Sequence, residues 1–193
     1  GFELIDNVYS WRSWGINILK SSRQIKTNCT VVLNKLPIPN DLIDFKKTDL
    51  SSSFFDKSKF NIFCGGNLEK VYGNNYDFLG IMKDLVEIDP SIRILIAGLG
   101  EKKPLLNFIK KNKLSEKIKY IGFRNDLGNV IDNCDIVLAT SPIGGGIISQ
   151  LAIYLRKPIL SLIDKDLPMT STSMMCDIDL DSAVYTKKDL ENN

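Results

Sequence analysis

Ile92-Arg93-Ile94-Leu95-Ile96-Ala97-Gly98-Leu99-Gly100 is a near-continuous aliphatic run, preceded by Asp89-Pro90 and closed by a glycine corner. A run this short, bounded by a helix-stopping proline and by glycines, predicts a strand over 92–97 that is buried on both faces. The same grammar repeats outward from it. Upstream, residues 60–64 predict a strand ending at Gly65-Gly66, and residues 75–88 carry Phe78, Leu79, Met82, Leu85 and Val86 on one side of a helix. Downstream, a helix over 104–112 leads to a strand over 118–121 closed by Gly122, and a short helix over 126–133 leads to a strand over 135–139. That strand runs into Thr140-Ser141-Pro142-Ile143-Gly144-Gly145-Gly146. A helix over about 147–156 follows, with Ile148, Leu151, Ala152 and Leu155 on one face, and then a fifth strand over 158–162. Strand alternating with helix, with Val/Ile/Leu-rich strands, predicts an α/β fold: a doubly wound, Rossmann-like parallel sheet.

The flanks follow other patterns. Leu4, Val8, Trp11, Trp14, Ile18 and Leu19 predict an amphipathic helix within residues 3–24, interrupted by Gly15. Thr30–Leu33 reads as a strand, Leu36-Pro37-Ile38-Pro39-Asn40 excludes helix, and the polar, serine-rich residues 40–58 read as a surface linker. We therefore divide the chain into an N-terminal segment of helix, strand and linker (1–58) and a Rossmann-like domain with a C-terminal tail (59–193). In that tail, 168–173 is expected to be loop and 182–185 a short strand.

At 193 residues the chain has room for about one domain. Its 44% hydrophobic and 25% charged content is ordinary for a globular protein. Twenty-five Lys and Arg against 23 Asp and Glu leave a net charge of +2, too balanced for a surface dedicated to nucleic acid or membrane. A bound anion has to be held by local geometry. No apolar run approaches the roughly 18 residues of a transmembrane helix. The opening Gly1-Phe2-Glu3 carries no basic-then-apolar leader, so we expect no signal peptide and read the chain as a segment of something longer. There is no histidine, and Cys29, Cys64, Cys134 and Cys176 form no C-x-x-C. This excludes the usual zinc sites and Ser-His-Asp or Cys-His catalysis within the chain, and we expect no metal. The cysteines that end apolar runs read as buried reduced thiols, which implies a reducing, cytoplasmic setting. Asn28-Cys29-Thr30 fits a glycosylation sequon, a chance match in that setting.

Ligands of an open parallel sheet collect beyond the carboxyl ends of its strands, and three of these strands end there in glycine turns: Gly65-Gly66, Gly98-Leu99-Gly100 and Gly144-Gly145-Gly146. Glycine lets a ligand approach the backbone, and the helix behind each turn aims unpaired N–H groups at the same spot, which suits a phosphate or pyrophosphate. The triple glycine is the sharpest, since Thr140 and Ser141 add hydroxyl donors; a tight turn that seats the helix on the sheet is its alternative. No dinucleotide fingerprint is present, because Lys103 stands where the last glycine belongs, and no P-loop occurs. Lys70 is a candidate cation for a diphosphate leaving group, or else a solvated lysine. Phe123 and Arg124 are placed to stack on or bond to a nucleobase, or else form a surface turn. Lys110, Lys111 and Lys113 read as a solvated helix end.

Taken in order, these blocks resemble the C-terminal, nucleotide-sugar-binding domain of GT-B fold glycosyltransferases. The resemblance runs from about Phe60 to Leu162 through Gly65-Gly66-Asn67-Leu68-Glu69-Lys70, the strand ending in Gly98-Leu99-Gly100 and Ile121-Gly122-Phe123-Arg124. It continues through Cys134-Asp135-Ile136-Val137-Leu138-Ala139-Thr140-Ser141-Pro142, the triple glycine and Lys157-Pro158-Ile159-Leu160. It departs where the family's ribose-binding acid falls on Leu151 (Gln150 beside it is a substitute), its second acid on Ile143 and its phosphate-binding arginine on Asn67. Lys70 is also two residues out of step. The resemblance implies a single GT-B-type half that binds a nucleotide-diphosphate sugar donor for transfer to an acceptor, in bacterial-type glycan or polysaccharide synthesis. The implied donor site comprises Gly65, Gly66, Asn67, Lys70, Gly98, Phe123, Arg124, Thr140, Ser141, Gly144, Gly145, Gly146 and Gln150. No cofactor or metal is required, and an N-terminal acceptor domain outside the chain would supply any general base. Two alternatives stay open: a nucleotide-sugar epimerase-like domain, and a catalytically degenerate module that binds or scaffolds.

Overall fold

A computed structural model of the chain describes residues 7–10, 21, 30–33, 38, 40–43, 55–72, 77–141 and 144–162. In chain order the elements are β1 (Asn7–Ser10), β2 (Thr30–Leu33), α1 (Asn40–Ile43), β3 (Phe60–Asn67), α2 (Glu69–Tyr72) and α3 (Phe78–Ile88). They continue as β4 (Ile92–Leu99), α4 (Lys103–Lys111), β5 (Ile118–Gly122), α5 (Leu127–Asp132), β6 (Ile136–Leu138), α6 (Gly146–Tyr154) and β7 (Ile159–Leu160). Strands β3 to β7 form one sheet in the order β5-β4-β3-β6-β7, every pair parallel.

Period-two alternation sends successive side chains of the central strands to opposite faces, and both faces are apolar. Ile62, Cys64, Ile94 and Ile96 meet Phe78, Met82 and Val86 of α3 and Leu105 and Ile109 of α4 on one face. Phe63, Leu95, Ala97 and Val137 meet Val130 and Ile131 of α5 and Leu151 and Ala152 of α6 on the other. Helices on both faces are the doubly wound architecture the sequence predicts. Within residues 40–58, read as a surface linker, Asn40–Ile43 is instead the short helix α1, and Leu42 and Phe55, with Ile38 before them, pack against the second layer.

Local chemistry sets the element ends. Asp77 caps α3 by accepting from the Gly80 N–H at 2.9 Å. After that helix the Asp89 carboxylate accepts from the Ser91 N–H at 2.7 Å and turns the chain into β4. Hydrogen bonds from Ser91, its hydroxyl first and then its amide, hold the Asp89 carboxyl below its usual value. Lys117 and Lys157 donate from Nζ to the carbonyls of Val86 and Asp132, in the last turns of α3 and α5.

Two expectations change. Within the helix read over 3–24, Asn7–Ser10 is a strand that pairs in parallel with Thr30–Leu33, although Ser21 is helical. Val8 and Tyr9 are strand formers, and a partner strand supplies hydrogen bonds that helical periodicity does not report. Strands β3 and β4 also run on through their glycines to Asn67 and Leu99, because the ladder continues as Gly65↔Ala97, Gly66↔Gly98 and Asn67↔Leu99. The short helix α2 falls between the elements read from the sequence, and 168–173 and 182–185 lie outside the described residues.

Leu95 is fully buried at the centre of the second layer, and Leu95→Ala is expected to lower stability in urea unfolding by about 2–5 kcal/mol. Burial pushes the Cys64 and Cys134 thiols up from 9.0 to about 12. Between those values the unfolded chain loses protons that the native one keeps, so stability falls as pH rises, by about 1.4 kcal/mol per pH unit for each thiol. Urea midpoints between pH 8 and 11 check this, and Cys64→Ala flattens the slope.

Candidate functional site

Because every pairing is parallel, the carboxyl ends of β3 to β7 share one rim. The chain winds outward from β3 through β4 to β5, then returns to the far side of β3 for β6 and β7. Ligands of open α/β sheets bind where the winding reverses in this way. At this rim lies a cavity of about 540 Å³. Strand β3 and the start of α2 contribute Gly66, Asn67 and Glu69 to it, and β4 with the residue after it contributes Ala97 to Gly100. The turn after β5 supplies Phe123 and Arg124, the first residue of α5 supplies Leu127, and α6 supplies Ile148.

The backbone at this rim is built for close approach. A Cβ on Gly98 would stand 1.9 Å from the Gly66 carbonyl oxygen, which no side chain tolerates. Gly66 and Gly100 take φ of +126° and +121°, a region that disfavours L side chains. Between β4 and β5 the register shifts after Ile96, and the Tyr120 hydroxyl donates to the Gly98 carbonyl at 2.9 Å. Asn67 Oδ1 accepts from the Glu69 N–H at 2.9 Å and starts α2. Phe123 is 59% exposed. Beside it, Arg124 donates from Nε to Asp126 Oδ1 at 2.7 Å and from Nη2 to Asp126 Oδ2.

The other predicted residues gather where β6 hands over to α6. Thr140, Ser141 and Gly144 are buried, Gly145 is the N-cap of α6 and Gly146 its first residue. A Cβ on Gly145 would lie 3.9 Å from the Gly65 carbonyl oxygen and 3.7 Å from Ile148 Cβ, so the triple glycine stands beside the corner of β3. Gln150 is half-buried within α6. Ser149 is fully buried, and its Oγ has no hydrogen-bond partner among the described residues.

Five predicted residues therefore line the cavity itself: Gly66, Asn67, Gly98, Phe123 and Arg124. Gly65 lies buried inside β3, Lys70 is half-buried on α2, and neither lines it. The residues at the start of α6 stand apart from the lining and reach it through Ile148. Sequence reading missed Glu69, Leu127, Ile148 and the Asp126 partner of Arg124. Gly100 was visible as the end of its glycine corner. Ile148 carried no signal, because its place depends on how α6 docks.

Charge divides the rim. Partial desolvation, then the carboxylates of Glu69 and Glu101, hold the Tyr72 hydroxyl above its ordinary value, so two carboxylates stand near the corner between β3 and β4. The charge of Arg124 is matched by Asp126. The N-terminus of α6 is the end of the rim where amides and a helix dipole favour an anion.

This is an open, doubly wound parallel α/β domain with a glycine-edged crevice, the architecture of one half of a GT-B protein. A family model described as glycosyl transferases group 1 matches residues 45–161, well over half of the chain, and the chain belongs to that family. Among solved structures it is similar to the pneumococcal O-GlcNAc transferase GtfA in complex with UDP and GlcNAc. The identity is 17% and the TM-score 0.61, over 83% of this chain and 30% of that one. Anabaena Alr3699/HepE in complex with UDP and glucose gives 17% and 0.61, over 97% and 52%. Methanocaldococcus jannaschii UDP-GlcNAc 2-epimerase in complex with UDP-GlcNAc and UDP gives 16% and 0.63, over 97% and 52%. At these identities the likeness establishes the fold, and the chain spans between 30% and 52% of the length of these proteins. No curated protein sequence matches it. No helix among the described residues is long and apolar enough to cross a membrane.

The contrast between two glycines is testable. Gly98→Ala forces backbone apart and is expected to cost about 1–3 kcal/mol in urea unfolding. Gly145→Ser meets only ordinary contacts and places a favoured N-cap residue on α6, so its stability is expected within about 1 kcal/mol of wild type.

Proposed function

We propose that the chain is the donor-binding half of a glycosyltransferase: it holds a nucleoside-diphosphate sugar, with UDP as the favoured nucleotide, while the sugar passes to an acceptor bound elsewhere. Three glycine corners on a single rim, two of them lining a cavity of about 540 Å³ and the third set beside it through Ile148, carry this proposal. The UDP complexes of the pneumococcal, Anabaena and Methanocaldococcus proteins support the choice of nucleotide.

In this assignment the diphosphate lies against Gly144, Gly145 and Gly146, on the amides that open α6, with Thr140 and Ser141 beside it and Lys70 as the nearby cation. Gly65, Gly66, Asn67 and Gly98 let it approach the ends of β3 and β4. The base lies at Phe123 and Arg124, and Gln150 serves the ribose. Transfer breaks the bond between the anomeric carbon and the phosphate oxygen, and the electron pair leaves with the diphosphate. Backbone amides and a lysine offset that charge without calling for a metal. The oxygen of the acceptor's hydroxyl forms the new bond to the anomeric carbon, and the base that takes its proton belongs to an acceptor domain outside this chain. Buried, reduced Cys64 and Cys134 support a cytoplasmic location.

Leu151 supports a second reading. It stands where the resemblance places the ribose-binding acid and is fully buried on the core face of α6. A domain that binds the nucleotide without turnover would tolerate that loss, and an assay for sugar transfer or epimerisation by the full-length protein separates the two. Calorimetric titration with UDP and GDP tests the binding itself. Gly145→Val is expected to weaken UDP at least about ten-fold while far-UV circular dichroism stays unchanged, since the added methyls occupy the anion cradle. No heat with any nucleoside diphosphate at millimolar concentration sinks the proposal.

A further inference from the structure

Asp126 is the N-cap residue of α5, yet its carboxylate makes no bond to that helix. Aspartate is among the best N-caps because its carboxylate accepts from an exposed amide of the first turn. Here that bond is forgone. Both carboxylate oxygens accept from Arg124 instead, in the parallel two-bond geometry that fixes a guanidinium in one plane. Arg124 lines the cavity beside the exposed ring of Phe123, whereas Asp126 does not line it. A local rule set aside at the edge of a cavity marks a functional constraint.

We infer that Asp126 is a positioning residue for the nucleobase end of the site, holding the Arg124 guanidinium flat beside Phe123 and cancelling its charge. The inference rests on the nucleotide-binding proposal above and adds how the base is received. A lone arginine at an open rim swings among rotamers and is drawn to phosphate. Paired and held, its planar face offers a stacking surface for an uncharged aromatic base, and its ordering is complete before the ligand arrives. The base and the diphosphate are then sorted to different ends of the rim by charge.

The test compares wild type, Asp126→Ser, Arg124→Ala and the double variant, each titrated with UDP and with inorganic pyrophosphate. Serine keeps a capping hydroxyl but cannot hold a guanidinium. Asp126→Ser is therefore expected to keep the wild-type unfolding midpoint while its UDP affinity falls about ten-fold and its pyrophosphate affinity stays within about two-fold. The double variant is expected to bind UDP no more weakly than Arg124→Ala alone. Unchanged UDP affinity in Asp126→Ser, an equal loss for pyrophosphate, or additive losses in the double variant overturns the inference and leaves the nucleotide site standing. A wild-type protein that binds no nucleoside diphosphate overturns both. Should Asp126→Ser fail to fold, Asp126→Asn is read by the same criteria.

Discussion

Everything at the carboxyl rim depends on the backbones of β3 and β4 lying closer together than any side chain allows. At their last rungs a Cβ on Gly65 would stand 2.4 Å from the Ala97 carbonyl oxygen, and one on Gly98 only 1.9 Å from that of Gly66. The ladder nevertheless runs on to Asn67↔Leu99. Strands extended by glycine leave a rim of bare peptide, and that bareness makes room for a cavity where the sheet would otherwise end in packed side chains. Tyr120 completes the device. Its hydroxyl bonds the Gly98 carbonyl where the pairing of β4 with β5 slips by a residue.

The rim is electrostatically uneven. Carboxylates stand at the corner between β3 and β4, a neutralised Arg124–Asp126 pair follows β5, and the amides of α6 form the end suited to an anion. This ordering gives an extended ligand with one charged and one neutral end a direction along the rim. Fold alone gives no such direction, since many chemistries share this architecture.

The chain belongs to the glycosyl transferases group 1, yet it fills two positions of the family resemblance with hydrocarbon. Ile143 lies outside the described residues, and Leu151 is packed with Phe63, Leu95 and Val137. At position 151 the residue serves the core, packed against the sheet rather than facing the rim.

Most of the layered domain was legible in the sequence. Aliphatic runs such as Ile92 to Ala97, bounded by proline and glycine, announce strands buried on both faces, and the 3.6-residue spacing of Phe78, Met82 and Val86 announces α3. Those signals are local, so a single stretch of chain carries them. The exceptions are equally physical. Asn7–Ser10 became a strand because Thr30–Leu33 offered it a ladder, and Glu69–Tyr72 coiled because Asn67 capped it. The glycine corners and Phe123–Arg124 could be read as site residues from their types. Which of them line one cavity, and that Ile148 joins them while Lys70 does not, was decided only by tertiary structure. A cavity is made by side chains that docking brings together from distant elements, whereas a strand or helix is written in the spacing of its own residues.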